Sequence, residues 1–269
     1  MNNIHKDFFR ALGAWPFAIC SIVVFAFSLG CPHSGPINGE SWRQHQLGTN
    51  FLQHGQYSRA EQHFMRAIEV DSRLALPYDS LGLIQMERGL YRSAERWFRQ
   101  ALSRDGKLVH AWDHLGIALR AQSRYSAAIS SFNKALSLDA THFNARLHLA
   151  ETLRRTKDFT QAQQHCFRLI SENPKRYESH YELGLLYLVQ NKEEEAISSF
   201  QRARERDPRV IDPHLILGQI YLRRNAYCEA YLSLQRVLAL DIRHAEARRL
   251  YSQAKSGLRG SSCADQKIE

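Results

Sequence analysis

A dipeptide, Leu followed by a small residue, returns along this chain at a fixed interval. Leu47-Gly48, Leu81-Gly82, Leu115-Gly116, Leu149-Ala150, Leu183-Gly184 and Leu217-Gly218 are each 34 residues apart. Twelve positions after each small residue stands an alanine: Ala60, Ala94, Ala128, Ala162, Ala196 and Ala230. Six units therefore fill residues 41–244 without a gap, as 41–74, 75–108, 109–142, 143–176, 177–210 and 211–244. A unit of this length cannot bury an apolar face alone, so a fixed period predicts an array in which each unit packs on its neighbours. With only 14 Gly and 7 Pro in 269 residues, a turn-rich all-β chain or a disordered one is excluded.

Each marker has a physical reason. Gly at position 8 of the unit lets a first helix, A, approach a second, B, and Ala at position 20 fills the facing contact, where a larger side chain would push the pair apart. Tyr57, Tyr91, Tyr125, Phe159 and Tyr227 open helix B and are expected to pack back into the pair, with Glu193 breaking the series in unit 5. Position 24 is Phe64, Phe98, Phe132, Phe200 or Leu234, and Cys166 in unit 4 predicts a looser inner contact there. Helix B should end near Asp71, Asp105, Asp139, Asn173, Asp207 and Asp241, with Pro174 and Pro208 as stops. Residues 245–258 read as one more helix, with Tyr251 inward and a polar outer face, the cap that an array requires. The tail 259–269 is expected to be disordered.

This pattern resembles the tetratricopeptide repeat (TPR) across about three quarters of the chain. The resemblance implies an all-α fold, a right-handed superhelical TPR solenoid of six helix-turn-helix repeats plus a C-terminal capping helix. In that family, helix A residues at positions 2, 5, 9, 12 and 13 line a concave protein-binding groove. Repeats 1 and 2 would then present Trp42, Leu52, Leu76, Leu83 and Met86. Repeats 3 and 4 would present His110, Asp113, Arg120, Asn144, Glu151, Arg154 and Arg155. Repeats 5 and 6 would present Tyr181, Leu185, Leu188, Val189, Leu215 and Leu222. The expected groove is apolar at its ends and charged in its middle, suited to an apolar peptide with a polar centre. The Lys/Asn clamp of chaperone-tail-binding TPR domains is missing, because His45 and Thr49 occupy its positions in repeat 1.

Residues 11–30 are apolar apart from Ser21 and Ser28 and carry no charge, with Lys6 and Arg10 before them and no further Lys or Arg until Arg43. That asymmetry predicts a cytoplasmic N-terminus and export of everything after Gly30. Residues 1–30 read as a signal peptide or an uncleaved membrane anchor, since about twenty apolar residues can span a bilayer. The segment ends in Phe27-Ser28-Leu29-Gly30-Cys31, which resembles the lipobox of bacterial lipoproteins and implies lipid attachment at Cys31. Pro32 in second place then implies an outer-membrane lipoprotein in preference to an inner-membrane signal anchor. Residues 31–40 form a linker short enough to hold the repeats close to the membrane.

The net charge of +9 raises nucleic-acid binding, but bases alternate with acids along the chain, so no nucleic-acid partner is expected. His110 and His114 stand at i, i+4 without a third ligand at useful spacing, so no metal or cofactor is expected. Cys20, Cys31, Cys166, Cys228 and Cys263 show no ligand spacing and imply no disulfide framework, with Cys166 and Cys228 read as apolar filler. No nucleophile elbow or phosphate loop is present, and the chain reads as a non-enzyme. An exported, lipid-anchored array of six repeats resembles the TPR outer-membrane lipoproteins of type IV pilus biogenesis, the secretin pilotins. The resemblance implies a monomer outside its complex whose partner is a secretin subunit or another envelope-complex component. An adaptor for cell-wall or polysaccharide enzymes is the alternative.

Overall fold

The computed structural model describes residues 38–258 and Cys263. The expected anchor over 1–30, the lipid site Cys31, most of the linker, and the tail other than Cys263 lie outside the described residues. Among the described residues there are thirteen α-helices and no strand. No helix among them is long and apolar enough to cross a membrane. They fall into two compact units that divide between Pro77 and Tyr78.

The first unit holds α1 (Gly39–Gln53) and α2 (Tyr57–Val70), and the third helix, α3 (Ala75–Glu87), starts within it. Helix α1 begins two residues ahead of the first repeat unit because Asn38 caps it, its side chain accepting the Glu40 N–H at 2.8 Å. The Asp71 carboxylate, at the end of α2, accepts the Asn38 N–H at 3.1 Å and the Arg73 guanidinium at 2.8 Å. Arg73 first, and then the Asn38 N–H, hold the Asp71 carboxyl far below the usual carboxylate range. Ser41 donates to Ala67 O at 2.8 Å, so the two ends of this hairpin are stitched twice.

The second unit continues from Tyr78 through α4 (Tyr91–Arg104), α5 (Val109–Ala121), α6 (Tyr125–Leu138), α7 (Phe143–Arg155), α8 (Phe159–Glu172), α9 (Tyr177–Val189), α10 (Glu193–Arg206), α11 (Ile211–Arg223), α12 (Tyr227–Leu240) and α13 (Ala245–Gly257). Odd-numbered helices are A helices, even-numbered ones are B helices, and α13 is the cap. Within a hairpin the small residue does what its spacing implied. A Cβ added at Gly184 would lie 2.7 Å from the Phe200 ring, and one at Gly218 would lie 2.6 Å from Leu234. In the fourth repeat both partners change together. Ala150 stands where Gly is usual, Cys166 where Phe is usual, and both are fully buried in one apolar cluster with Phe98 and Phe132. A methyl thus replaces hydrogen where a thiol replaces a ring, and the contact expected to be loose is closed to solvent.

The turns repeat as faithfully as the helices. Position 15 of every repeat, just past helix A, has positive φ: Gly89, Ser123, Lys157, Asn191 and Asn225 in this unit. Past helix B, Asp105, Asp139, Asp207 and Asp241 accept the N–H two residues on, from Lys107, Thr141, Arg209 and Arg243. Position 4 of the next helix A then reaches that turn's carbonyl. Trp112 Nε1 donates to Gly106 O at 2.9 Å, Arg146 donates to Ala140 O, and His214 Nε2 faces Pro208 O at 3.3 Å. His180 holds the same position, buried, with neither ring nitrogen partnered.

Two expectations need correction. Tyr91 opens α4 but remains 38% exposed, so its ring is only partly packed into the pair. Cys228 is not a free filler: it is paired with Cys263, 35 residues later, at a Cα–Cα distance of 5.3 Å. One bridge between widely spaced residues has no spacing signature, which is why the sequence pattern did not disclose it. Cys166 is free and buried, and burial pushes its thiol far above the ordinary value, leaving it inert. The cap α13 is held on α12 by Tyr251, whose hydroxyl meets that of Tyr231 at 2.7 Å.

Candidate protein-binding groove

The groove positions all lie on A helices, and in the unit from Tyr78 onward most of the charged ones bond from repeat to repeat. Asp79 on α3 faces His114 on α5 at 2.9 Å, and Asp113 on α5 faces His148 on α7 at 2.8 Å. Arg120 on α5 pairs with Glu151 on α7, and Arg154 on α7 pairs with Glu182 on α9 at 2.6 Å. Asp113 is 3% exposed and Glu182 is equally buried. Burial pushes the Glu182 carboxyl above its ordinary value even with Arg154 against it, while Glu182 raises Arg154 against the cost of burying the guanidinium. Of the five charges expected in the middle of the groove, Asp113, Arg120, Glu151 and Arg154 are therefore bonded to neighbouring repeats, and Arg155 is exposed. Asn144, also expected there, is exposed.

The apolar positions are half withdrawn. Tyr181, Leu185 and Leu188 pack against the cluster of Phe200, Leu217 and Ile220, and burial pushes the Tyr181 hydroxyl up to about 12. Leu215 packs against the last cluster, and Leu222 is buried within it. Leu83 and Met86 are partly buried against the cluster around Phe98. Val189 remains exposed. In the first unit Trp42 is 41% exposed and Leu76 is partly buried.

One concavity of about 380 Å³ opens along these helices, lined by Met86, Tyr91, Ile117 and Ala121, with Glu87, Arg120 and Arg155 at its polar side. Glu87 and Arg155 are exposed and make no ion pair among the described residues, in contrast to the bonded charges beside them. The sequence reading named Met86, Arg120 and Arg155 for the groove and passed over Glu87, Tyr91, Ile117 and Ala121. Glu87, Ile117 and Ala121 stand at positions 13, 9 and 13 of their repeats, so the register alone could have supplied them.

The histidines near the groove bond to one another and to carboxylates. His142 Nδ1 accepts the Ala145 N–H, so its Nε2 carries the proton and donates to His110 Nδ1 at 3.1 Å. His114 is engaged by Asp79. Among the described residues no group of three or more His, Cys, Asp or Glu could hold a metal ion.

Tetratricopeptide-repeat profiles match residues 79–145, 119–183 and 177–210. With the thirteen-helix array described above, this makes the chain a tetratricopeptide-repeat protein. In fold it is similar to PilW, described as a widely conserved type IV pilus biogenesis factor, with a TM-score of 0.72 at 20% identity over 79% of this chain and 99% of that one. PilF of Pseudomonas aeruginosa gives 0.66 at 17% identity, over 80% of this chain and 97% of that one. MamA of Desulfovibrio magneticus RS-1 gives 0.53 at 24% identity, over 64% and 97%. No curated protein matches the sequence. TPR arrays mediate protein–protein contacts, and no catalytic family is indicated.

Proposed function

We infer that this chain is a non-catalytic scaffold of the bacterial envelope that binds a secretin subunit and promotes its assembly during type IV pilus biogenesis. The likeness to PilW carries this reading, because the similarity spans 99% of that chain and so takes in its whole repeat plan. The Cys228–Cys263 bridge supports export, since disulfides persist in oxidising compartments such as the periplasm. The cleft supports binding: an apolar floor from Met86, Ile117 and Ala121 sits beside the unpaired charges Glu87 and Arg155. An apolar anchor side chain flanked by polar groups of both signs would fit it.

Deletion of the gene with immunoblotting of secretin multimers tests the role. Loss of multimers, restored by the wild-type gene, is the expected result; multimers that persist at wild-type levels would sink it. Palmitate labelling of wild type and Cys31→Ser, with membrane fractionation, tests the anchor separately. Label in the wild type alone, recovered with the outer membrane, is expected, and an unlabelled inner-membrane chain means an uncleaved helix.

A further inference from the structure

Bases that look interleaved with acids along the chain fall into register when read by repeat. Position 26, on helix B, is Arg66, Gln100, Lys134, Arg168, Arg202 and Arg236. Position 33, in the turn after helix B, is Arg73, Lys107, Thr141, Lys175, Arg209 and Arg243. Each position is basic in five repeats of six. Within the unit from Tyr78 onward, every one of these bases is exposed.

The two rows share a face. Arg236 on α12 donates to Pro208 O at 3.3 Å, so position 26 of one repeat touches the turn that carries Arg209, position 33 of the repeat before. Some of the opposing charge there is paired: Glu172 with Arg168 and Arg146, and Asp207 with Arg209. Asp105, Asp139 and Asp241 are turned onto the backbone N–H groups of their own turns, and Glu205 stands near Arg202 in the sequence. Lys107, Lys134, Lys175, Arg202 and Arg243 make no ion pair among the described residues. Burial lowers His165, His180 and His214 first; Arg146 with Arg168, Arg206 with Arg202, and Arg204 with Arg236 lower them further, opposed by Glu205 at His180 and by the Pro208 carbonyl at His214. Phe167, beside Arg168, and Ile242, beside Arg243, stand exposed on the same elements, at 49% and 76%.

We propose that the face formed by positions 26 and 33 docks on an anionic phospholipid surface. One or two bases per repeat, with isolated apolar side chains between them, suit a plane of headgroup phosphates over an acyl layer. An acidic peptide would instead favour a groove, and the groove lies on the A helices. A tether at the N-terminus would keep the repeats near the bilayer, so weak contacts from several repeats would add. In that respect alone the inference rests on the anchored reading above.

Amine footprinting of the full chain tests it, in phosphatidylglycerol-rich vesicles and in pure phosphatidylcholine vesicles. Lys107, Lys134 and Lys175 report on the face, and Lys157 and Lys192, in the turns before helix B, serve as internal controls. The expected result is protection of the first three in anionic vesicles only, reversed by high salt, with the controls unchanged. Arg202→Glu with Arg236→Glu should reduce docking by about five-fold for each base lost. Equal reactivity of Lys107, Lys134 and Lys175 in both vesicles overturns the proposal, as does uniform protection that includes the controls. Protection by polyglutamate but not by vesicles overturns it in favour of an acidic protein. Failure of the chain to associate with phosphatidylcholine counts against the anchor and leaves the comparison in anionic vesicles decisive for the face.

Discussion

His114 Nδ1 lies 2.9 Å from Asp79, so the third repeat is tied to the second by a bond whose strength follows the charge on one imidazole. Burial acts against the charged ring, but the Asp79 hydrogen bond and charge, with Asp113 nearby, raise His114 above its ordinary value. A raised folded value means stability that is complete below the unfolded value of about 6.5 and lost as pH rises through the folded one. The lowered histidines, among them His180 and His214, work the other way, because acid must charge them inside the fold. Asp79→Asn isolates the pair. The variant should be less stable by about 1 kcal/mol at mildly acidic pH, and the gap should close as pH rises above neutrality. Thermal melts across that range check it; a gap independent of pH would remove His114 from the account.

Arg154 and Glu182 make the most deeply buried ion pair between repeats, with side chains 18% and 3% exposed. Arg154→Met should cost about 3–5 kcal/mol, because it leaves the Glu182 carboxylate buried without its counter-charge. Adding Glu182→Gln should recover a substantial part of that loss. Urea unfolding of the three variants gives the coupling, and additive losses would show that the two residues do not act as a pair.

The coupled change at Ala150 and Cys166 predicts a rescue. Cys166→Phe alone should destabilise by about 1–3 kcal/mol, since the ring would meet the Ala150 methyl. Ala150→Gly with Cys166→Phe restores the pairing of the other repeats and should be more stable than either single change. A double variant no better than Cys166→Phe would mean that the fourth repeat closes its core in some other way.

Leu185 and Leu188 are poor places to probe binding, because they already pack on the Phe200 cluster and a charge there would disturb the fold. Glu87→Lys with Arg155→Glu is cleaner, since both side chains are exposed at the cleft and without an ion pair among the described residues. On the proposed reading, secretin capture should fall about tenfold with the melting temperature unchanged. Unchanged capture would move the binding site elsewhere on the array.

The sequence disclosed what recurs within one repeat. Gly184 and Phe200, 16 residues apart, announce their contact each time the period returns. Contacts between repeats are harder to see, because Asp79 with His114 and Asp113 with His148 stand 35 apart, one more than the period. Reading each repeat singly left those charges looking free for a ligand. The basic rows were hidden for a related reason: Lys134, Arg168, Arg202 and Arg236 are scattered along the chain and come together only in register. Cys228 and Cys263 are also 35 apart, but the pair occurs once and leaves no recurrence to read.

That last pair has a mechanical consequence. In a one-dimensional array the terminal helix has a neighbour on one side only, so it is the element most easily peeled away. A pull applied beyond residue 263 would, without the bridge, run through α13 and strip it from Tyr231 and Tyr227. With the bridge, the load passes straight to the start of α12, and α13 lies inside a closed loop that carries no tension. The last repeat can then bear a force at its C-terminal side without unravelling.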